Sequence, residues 1–214
     1  MNNKFKSKIQ RGFEKLYYFL TFSLIYLGSM IAGLVFLSFG GAHVLLYKLS
    51  DMLSRERYKE KVKIYKFFKE NFINYTMKYV KVSLLYVSLL LIIGIDIFYF
   101  STSISPLYTG LFYLMIILGF VIINAMEISF LLMAKYPELT FKEVAQNSVS
   151  LIVVNIIDTL LLNVILGLIT YTLYKISGVL ILILLPGIAI ELNYYFFNKM
   201  LKKKSLTYLL FNIR

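Results

Sequence analysis

Five ionisable residues of this chain sit inside long apolar stretches: Asp96, Glu127, Asp158, Glu191 and His43, the single histidine. Charge is costly at bilayer depth, so an acid embedded in such sequence is a functional candidate by default. The chemistry open to it there is the passage of a proton or a cation. No Lys or Arg shares the interior of a stretch with the four acids, so simple ion pairing is not on offer. The spacing suggests neighbouring amides as partners instead. Asn124 lies three residues before Glu127 and Asn155 three before Asp158, and residues so spaced share a helix face. A structural role is the competing reading. Asp96 is close to the outer end of its stretch, and Glu127 and Glu191 are within about two turns of the cytoplasmic end, where water reaches. Asp158 is the deepest of the four.

Other chemistry is thinly represented. The chain has no H-E-x-x-H, no P-loop, no G-x-S-x-G and no cluster of histidines, each of which would place a metal, phosphate or nucleophile by its spacing. It has no cysteine, which removes disulfides, thiolate nucleophiles and Cys-based metal sites. The expectation is a protein without cofactor or bound metal that is not an enzyme.

The elements that must carry these residues are membrane helices. Of 214 residues, 59% are hydrophobic and 16% charged, against ~45–50% and ~25% in ordinary soluble domains. A soluble globule of this size could not hide so much apolar surface. A bilayer-crossing helix takes ~20 apolar residues, and segments 82–100, 107–132, 148–170 and 178–197 qualify. The start of the chain is less simple, because no charge interrupts residues 16–47 and Gly40-Gly41 lies within them. Paired glycines mark a turn or break, so this region reads as a hairpin with spans 16–37 and 42–54 joined at the glycines.

Charge sets the orientation. With six spans and both termini inside, every Lys and Arg except Lys175 falls on the cytoplasmic side. With five spans the amino-terminal group of Lys4, Lys6, Lys8, Arg11 and Lys15 joins Lys175 outside, so the positive-inside rule favours six. That amino-terminal segment resembles a signal-peptide n-region. The apolar run behind it is too long for an h-region and no A-x-A site follows, so it reads as a retained helix. The net charge of +12 does not indicate nucleic acid, because the basic residues flank apolar spans. There they hold loops in the cytoplasm and attract anionic lipid headgroups.

The longest polar stretch, 55–81, carries Tyr58, Val62, Tyr65, Phe68 and Phe72 at steps of four, three, three and four. That is the periodicity of one helix face. With Lys and Arg around it, the stretch reads as an amphipathic helix lying in the cytoplasmic interface. It is either a connector resting on headgroups, the favoured reading, or a surface that docks on a partner. Phe68-Lys69-Glu70 and Phe141-Lys142-Glu143, with Asn74 and Asn147 at matching offsets, form a weak internal echo.

Three groups of residues carry a family resemblance. They are Gly40-Gly41-Ala42 leading to Tyr47, Phe67-Phe68-Lys69-Glu70-Asn71-Phe72 before a span, and Pro137 with the run through Asn147 into Asn155 and Thr159. Together they resemble the YesL-like family of bacterial integral membrane proteins, whose molecular activity is unassigned. The resemblance implies a multi-pass protein of the bacterial plasma membrane with an accessory role beside carbohydrate ABC importers, and it transfers no active-site residue. The whole reading is an all-α polytopic bundle forming one domain over 1–214. The expected role is a non-enzymatic accessory or scaffold with a membrane transporter subunit as partner. The alternative is a small secondary transporter or channel that uses the intramembrane carboxylates.

Overall fold

Runs of Leu, Ile, Phe and Tyr that face lipid find no water for their backbone N–H and C=O groups, so they satisfy them internally as helices. The structure, a computed structural model, describes residues 3–32, 37–55, 64–102 and 105–202. Among these it contains seven helices: α1 (Asn3–Ala32), α2 (Phe39–Arg55), α3 (Ile64–Ser101), α4 (Pro106–Lys135), α5 (Phe141–Val154), α6 (Ile156–Ile176) and α7 (Gly178–Leu201). Local chemistry marks several ends. Pro106 opens α4, where its missing N–H costs nothing. Thr140 and Glu143 form a capping box at the start of α5, with the Thr140 N–H donating to Glu143 Oε2 at 2.8 Å and satisfying a backbone donor that helix geometry leaves over.

Helices α3, α4, α6 and α7 are long and apolar enough to cross a bilayer. Their outer faces carry exposed large apolar side chains such as Ile95, Phe98, Ile117, Ile157 and Leu182, a surface suited to lipid and not to water. With four such helices the chain is a multi-pass membrane protein, which matches a bacterial plasma-membrane location.

The centre belongs to the short helix α2. Ala42, Val44, Leu45, Leu46, Tyr47 and Leu49 are fully buried there, enclosed by α1, α3, α4 and α7. Contacts fix its direction. Gly40 N–H donates to Ser83 Oγ at 3.1 Å and Lys48 Nζ to Tyr75 Oη at 2.6 Å, so α3 runs antiparallel to α2. Tyr86 meets Ser129 and Tyr79 meets the Met133 carbonyl, so α4 runs antiparallel to α3 and along α2. Asn193 on Glu127 and Asn198 on Lys135 align α7 with α4.

Three expectations change. Gly40-Gly41 is not the turn between two spans, because both glycines lie in the first turn of α2, while α1 ends at Ala32. Their smallness serves helix packing: a Cβ on Gly41 would fall 2.6 Å from Thr76 Cα, and small residues let backbones approach closely in membranes. Second, the described part of the polar stretch, from Ile64, is not a separate interfacial helix. From Ile64 onward it is the first part of α3, whose 38 residues span about 57 Å at 1.5 Å each. Phe68 is buried in the core and Phe72 stacks on it with 5.1 Å between ring centroids, whereas Tyr65 is 71% exposed. Within the stripe, then, Phe68 and Phe72 pack on protein and Tyr65 does not. Tyr58 and Val62 lie outside the described residues. Third, segment 148–170 is not one helix: Asn155, at φ −118° and ψ 39°, closes α5 and opens α6.

Helix α7 contains Pro186, which disturbs the backbone ladder around it. The next residue, Gly187, sends its N–H to Ser23 Oγ of α1 at 2.8 Å. A Cβ at Gly187 would overlap the Phe19 carbonyl, so α1 and α7 meet only because glycine stands there. Gly41→Val should lower stability by about 1–3 kcal/mol through overpacking. Gly110→Ala, where a Cβ meets nothing within 4 Å, should stay within about 0.5 kcal/mol of wild type. Denaturant unfolding in detergent micelles measures both.

Candidate functional site

Residues His43, Tyr47, Ser50, Asp51 and Ser54 fall along one face of α2, since helix positions three and four apart are neighbours. Packing that face against α4 and α7 places two polar clusters inside the apolar bundle. The first surrounds Glu127 of α4. Its Oε1 lies 3.3 Å from His43 Nε2. Its Oε2 accepts the Tyr47 hydroxyl at 2.5 Å and the Asn193 amide at 3.2 Å. The Glu127 side chain is only 15% exposed, and His43, Tyr47 and Asn193 are buried. The other imidazole nitrogen, Nδ1, lies 2.9 Å from the Phe39 carbonyl oxygen, and the rings of Phe39, Tyr26 and Phe130 enclose the imidazole at 4.5, 5.0 and 5.3 Å. Charge-assisted hydrogen bonds of this kind are about twice as strong as neutral ones.

The second cluster lies one to two turns further along α2, toward the basic end of the bundle. Ser50 donates to Glu191 Oε1 at 2.7 Å. Tyr194 donates to Asp51 Oδ1 at 2.9 Å, and Ser54 meets the Tyr194 hydroxyl at 2.8 Å. Lys135 Nζ lies 3.6 Å from Asp51 Oδ1, donates to Asn198 Oδ1 at 2.5 Å and sits over the Tyr194 ring. From His43 to Ser54 the polar face extends about 16 Å along the helix axis.

The structure thus brings together His43 and Glu127 and places Glu191 on the same α2 face. Asp96 and Asp158 are half-exposed on α3 and α6 and are not among the groups that meet Glu127. Asp158 occupies the first turn of α6, where the helix dipole favours a negative side chain. The amide expected beside Glu127 is engaged elsewhere: Asn124 accepts from Asn163 at 2.9 Å and donates to the Phe120 carbonyl. Asn193 replaces it. Of the four acids Glu127 does meet a basic side chain, that of His43, while Lys135 faces Asp51, an acid outside the four. Sequence reasoning missed Tyr47, Asp51, Asn193 and Lys135 as members of a site. The helical spacing of polar residues along α2 was the signal that would have found the first two.

Among the described residues no three His, Asp or Glu side chains gather as metal ligands. The clusters can hold protons, exchange them along a hydrogen-bonded face, or clasp three helices together. Compared with family models, with curated proteins and with solved structures, the chain matches none.

Glu127→Ala should lower stability by about 3–5 kcal/mol, because it strands a buried histidine and two other donors. Asp96→Asn should change it by less than about 0.5 kcal/mol. Melting curves of the purified variants in one detergent test the contrast.

Proposed function

We propose that this chain is a non-enzymatic accessory or scaffold protein of a membrane transport system, crossing the bilayer six times with both termini in the cytoplasm. The observation that carries this reading is the internal saturation of the core. Both oxygens of Glu127 are engaged by side chains of α2 and α7, Glu191 accepts from Ser50, and Lys135 bridges Asp51 and Asn198. Such a core clasps helices and leaves the outer faces and the basic cytoplasmic rim for a partner.

The six crossings draw support from helix directions. Helices α2, α4 and α7 run together and α3 runs against them, so the ends of α2, α4 and α7 gather with the basic segments, as the positive-inside rule asks. Anionic headgroups are the lipid partner of that rim. The resemblance of Gly40-Gly41-Ala42, Tyr47, Asn147, Asn155 and Thr159 to the YesL-like pattern supports a role beside carbohydrate ABC uptake. In this fold Ala42, Tyr47, Asn147, Asn155 and Thr159 are all buried, so they speak for a shared packing scheme; family and fold do not by themselves supply mechanism.

A second reading, a small secondary transporter or channel, is favoured by one feature: an acid and a histidine at bilayer depth, where ionisable groups mark ion paths.

Affinity purification from native membranes should recover a stoichiometric transporter subunit, and a clean solitary protein would overturn the scaffold reading. Flux through proteoliposomes, lost in the double variant Glu127→Gln with Asp158→Asn, would establish the second reading instead. A reporter fused at residue 37 should read as outside and one at either terminus as inside; an outside amino terminus would leave five crossings.

A further inference from the structure

We propose that His43 and Glu127 form a one-proton binding site in the core of the bundle, and that this proton holds α2 against α4 and α7. The inference stands apart from the choice between scaffold and transporter, because it rests on the donors and acceptors of four side chains.

A carbonyl oxygen only accepts. Since His43 Nδ1 lies 2.9 Å from the Phe39 carbonyl, that nitrogen carries a hydrogen. The second nitrogen, Nε2, faces Glu127 Oε1 at 3.3 Å. A bare imidazole nitrogen and a carboxylate oxygen are both acceptors, and this contact without a hydrogen would set lone pair against lone pair. One proton resolves it, on either atom. With the proton on Nε2 the pair is imidazolium and carboxylate; with the proton on Oε1 it is imidazole and carboxylic acid. The net charge is zero both ways, which is the form that a low-dielectric core tolerates. The remaining donors are aimed elsewhere: Tyr47 and Asn193 both donate to Oε2.

The surroundings leave the pair as the place where a proton is gained or lost. Helix α1 presents Tyr26, edge-on to His43 and within electrostatic reach of Glu127. Helix α2 adds Tyr47, and α7 adds the neutral Asn193. On α3, Tyr86 meets the Phe130 ring that also packs on His43, and its hydroxyl is shared with Ser129. Glu191, Asp51 and Lys135 belong to the second cluster, further along the same faces. Free tyrosine loses its proton only near about pH 10, so the tyrosines are donors across the physiological range.

The coupling to α2 follows from where the partners come from. Two are on α2, one on α4 and one on α7. With the proton present the contact attracts; without it, a carboxylate faces an unprotonated ring at the centre of the packed face. Rising pH should therefore loosen α2, and falling pH should dock it.

The full-length chain in lipid nanodiscs, carrying no polyhistidine tag, allows a direct test. His43 is the sole histidine, so nitrogen-15 labelling of imidazole reports one site. From about pH 5 to pH 8, the range where histidine ordinarily titrates, Nδ1 should be protonated and Nε2 should share or hold a proton. In Glu127→Gln, Nε2 should become a plain acceptor. An unprotonated Nδ1, or a wild-type Nε2 that is a plain acceptor with no protonated-carboxyl infrared band lost in Glu127→Gln, would overturn the site. The absence of cysteine permits a second readout, thiol labelling of Ala42→Cys at a fully buried position of α2, normalised to the unfolded chain at each pH. Labelling should accelerate about tenfold once pH rises above that range and the shared proton is given up, the mark of local opening, and this dependence should vanish when Glu127→Gln is added. The same pH dependence in both backgrounds would overturn the coupling.

Discussion

A carboxyl group inside an apolar bundle must be met by donors, and the architecture turns on how Glu127 meets them. Its two oxygens draw on His43 and Tyr47 of α2 and Asn193 of α7. Breaking one side of such a contact costs more than forming it gains, since a buried polar group left alone bears its full desolvation cost. The three helices are therefore held in register by a condition that no lipid-facing arrangement can satisfy. A slide of α2 by one turn would take at least one of His43 and Tyr47 off Glu127 and part Ser50 from Glu191 at the same time. The polar face thus specifies the position of a helix whose apolar residues alone would accept several.

Around that centre, close approach is supplied by what is missing from side chains. Apolar helices gain little from mutual burial in lipid, so they associate by packing and hydrogen bonding. Gly41 admits the backbone of α3 at Thr76, and Gly187 admits the backbone of α1 at Phe19. Pro186 belongs to the same device: it weakens the ladder of α7 just where Ser23 takes the Gly187 N–H. The lipid side follows the opposite logic, with Leu, Ile and Phe on α3, α4 and α6 left exposed because hydrocarbon surrounds them.

The membrane character was legible, and so were the apolar stretches of α3, α4 and α7 and much of α6, because hydrophobic length is a property of contiguous residues. The boundaries were less so. Gly40-Gly41 looked like a turn because paired glycines are permissive; a neighbouring backbone, absent from sequence, is what they serve. The aromatic stripe of Tyr65, Phe68 and Phe72 had the right period, yet period shows only that a face exists. Which of its rings protein covers, Phe68 and Phe72 but not Tyr65, is decided by the path of the chain. Asn155 could be seen as a polar residue in a span but not as a helix break, since its backbone angles depend on how α5 and α6 each pack.

What the sequence by itself determined was the solvent of this protein, its helical class and the identity of its embedded ionisable groups, all of which follow from local composition and the cost of burying polar backbone in lipid. Which of those groups act together was a tertiary decision. Glu127 and His43 are far apart along the chain, and Asn124, near in sequence, turned to Asn163 instead. Hydrogen bonds need approach within about 3 Å. Only the packing of α2 between α4 and α7 brings His43, Tyr47 and Asn193 that close to one carboxyl group.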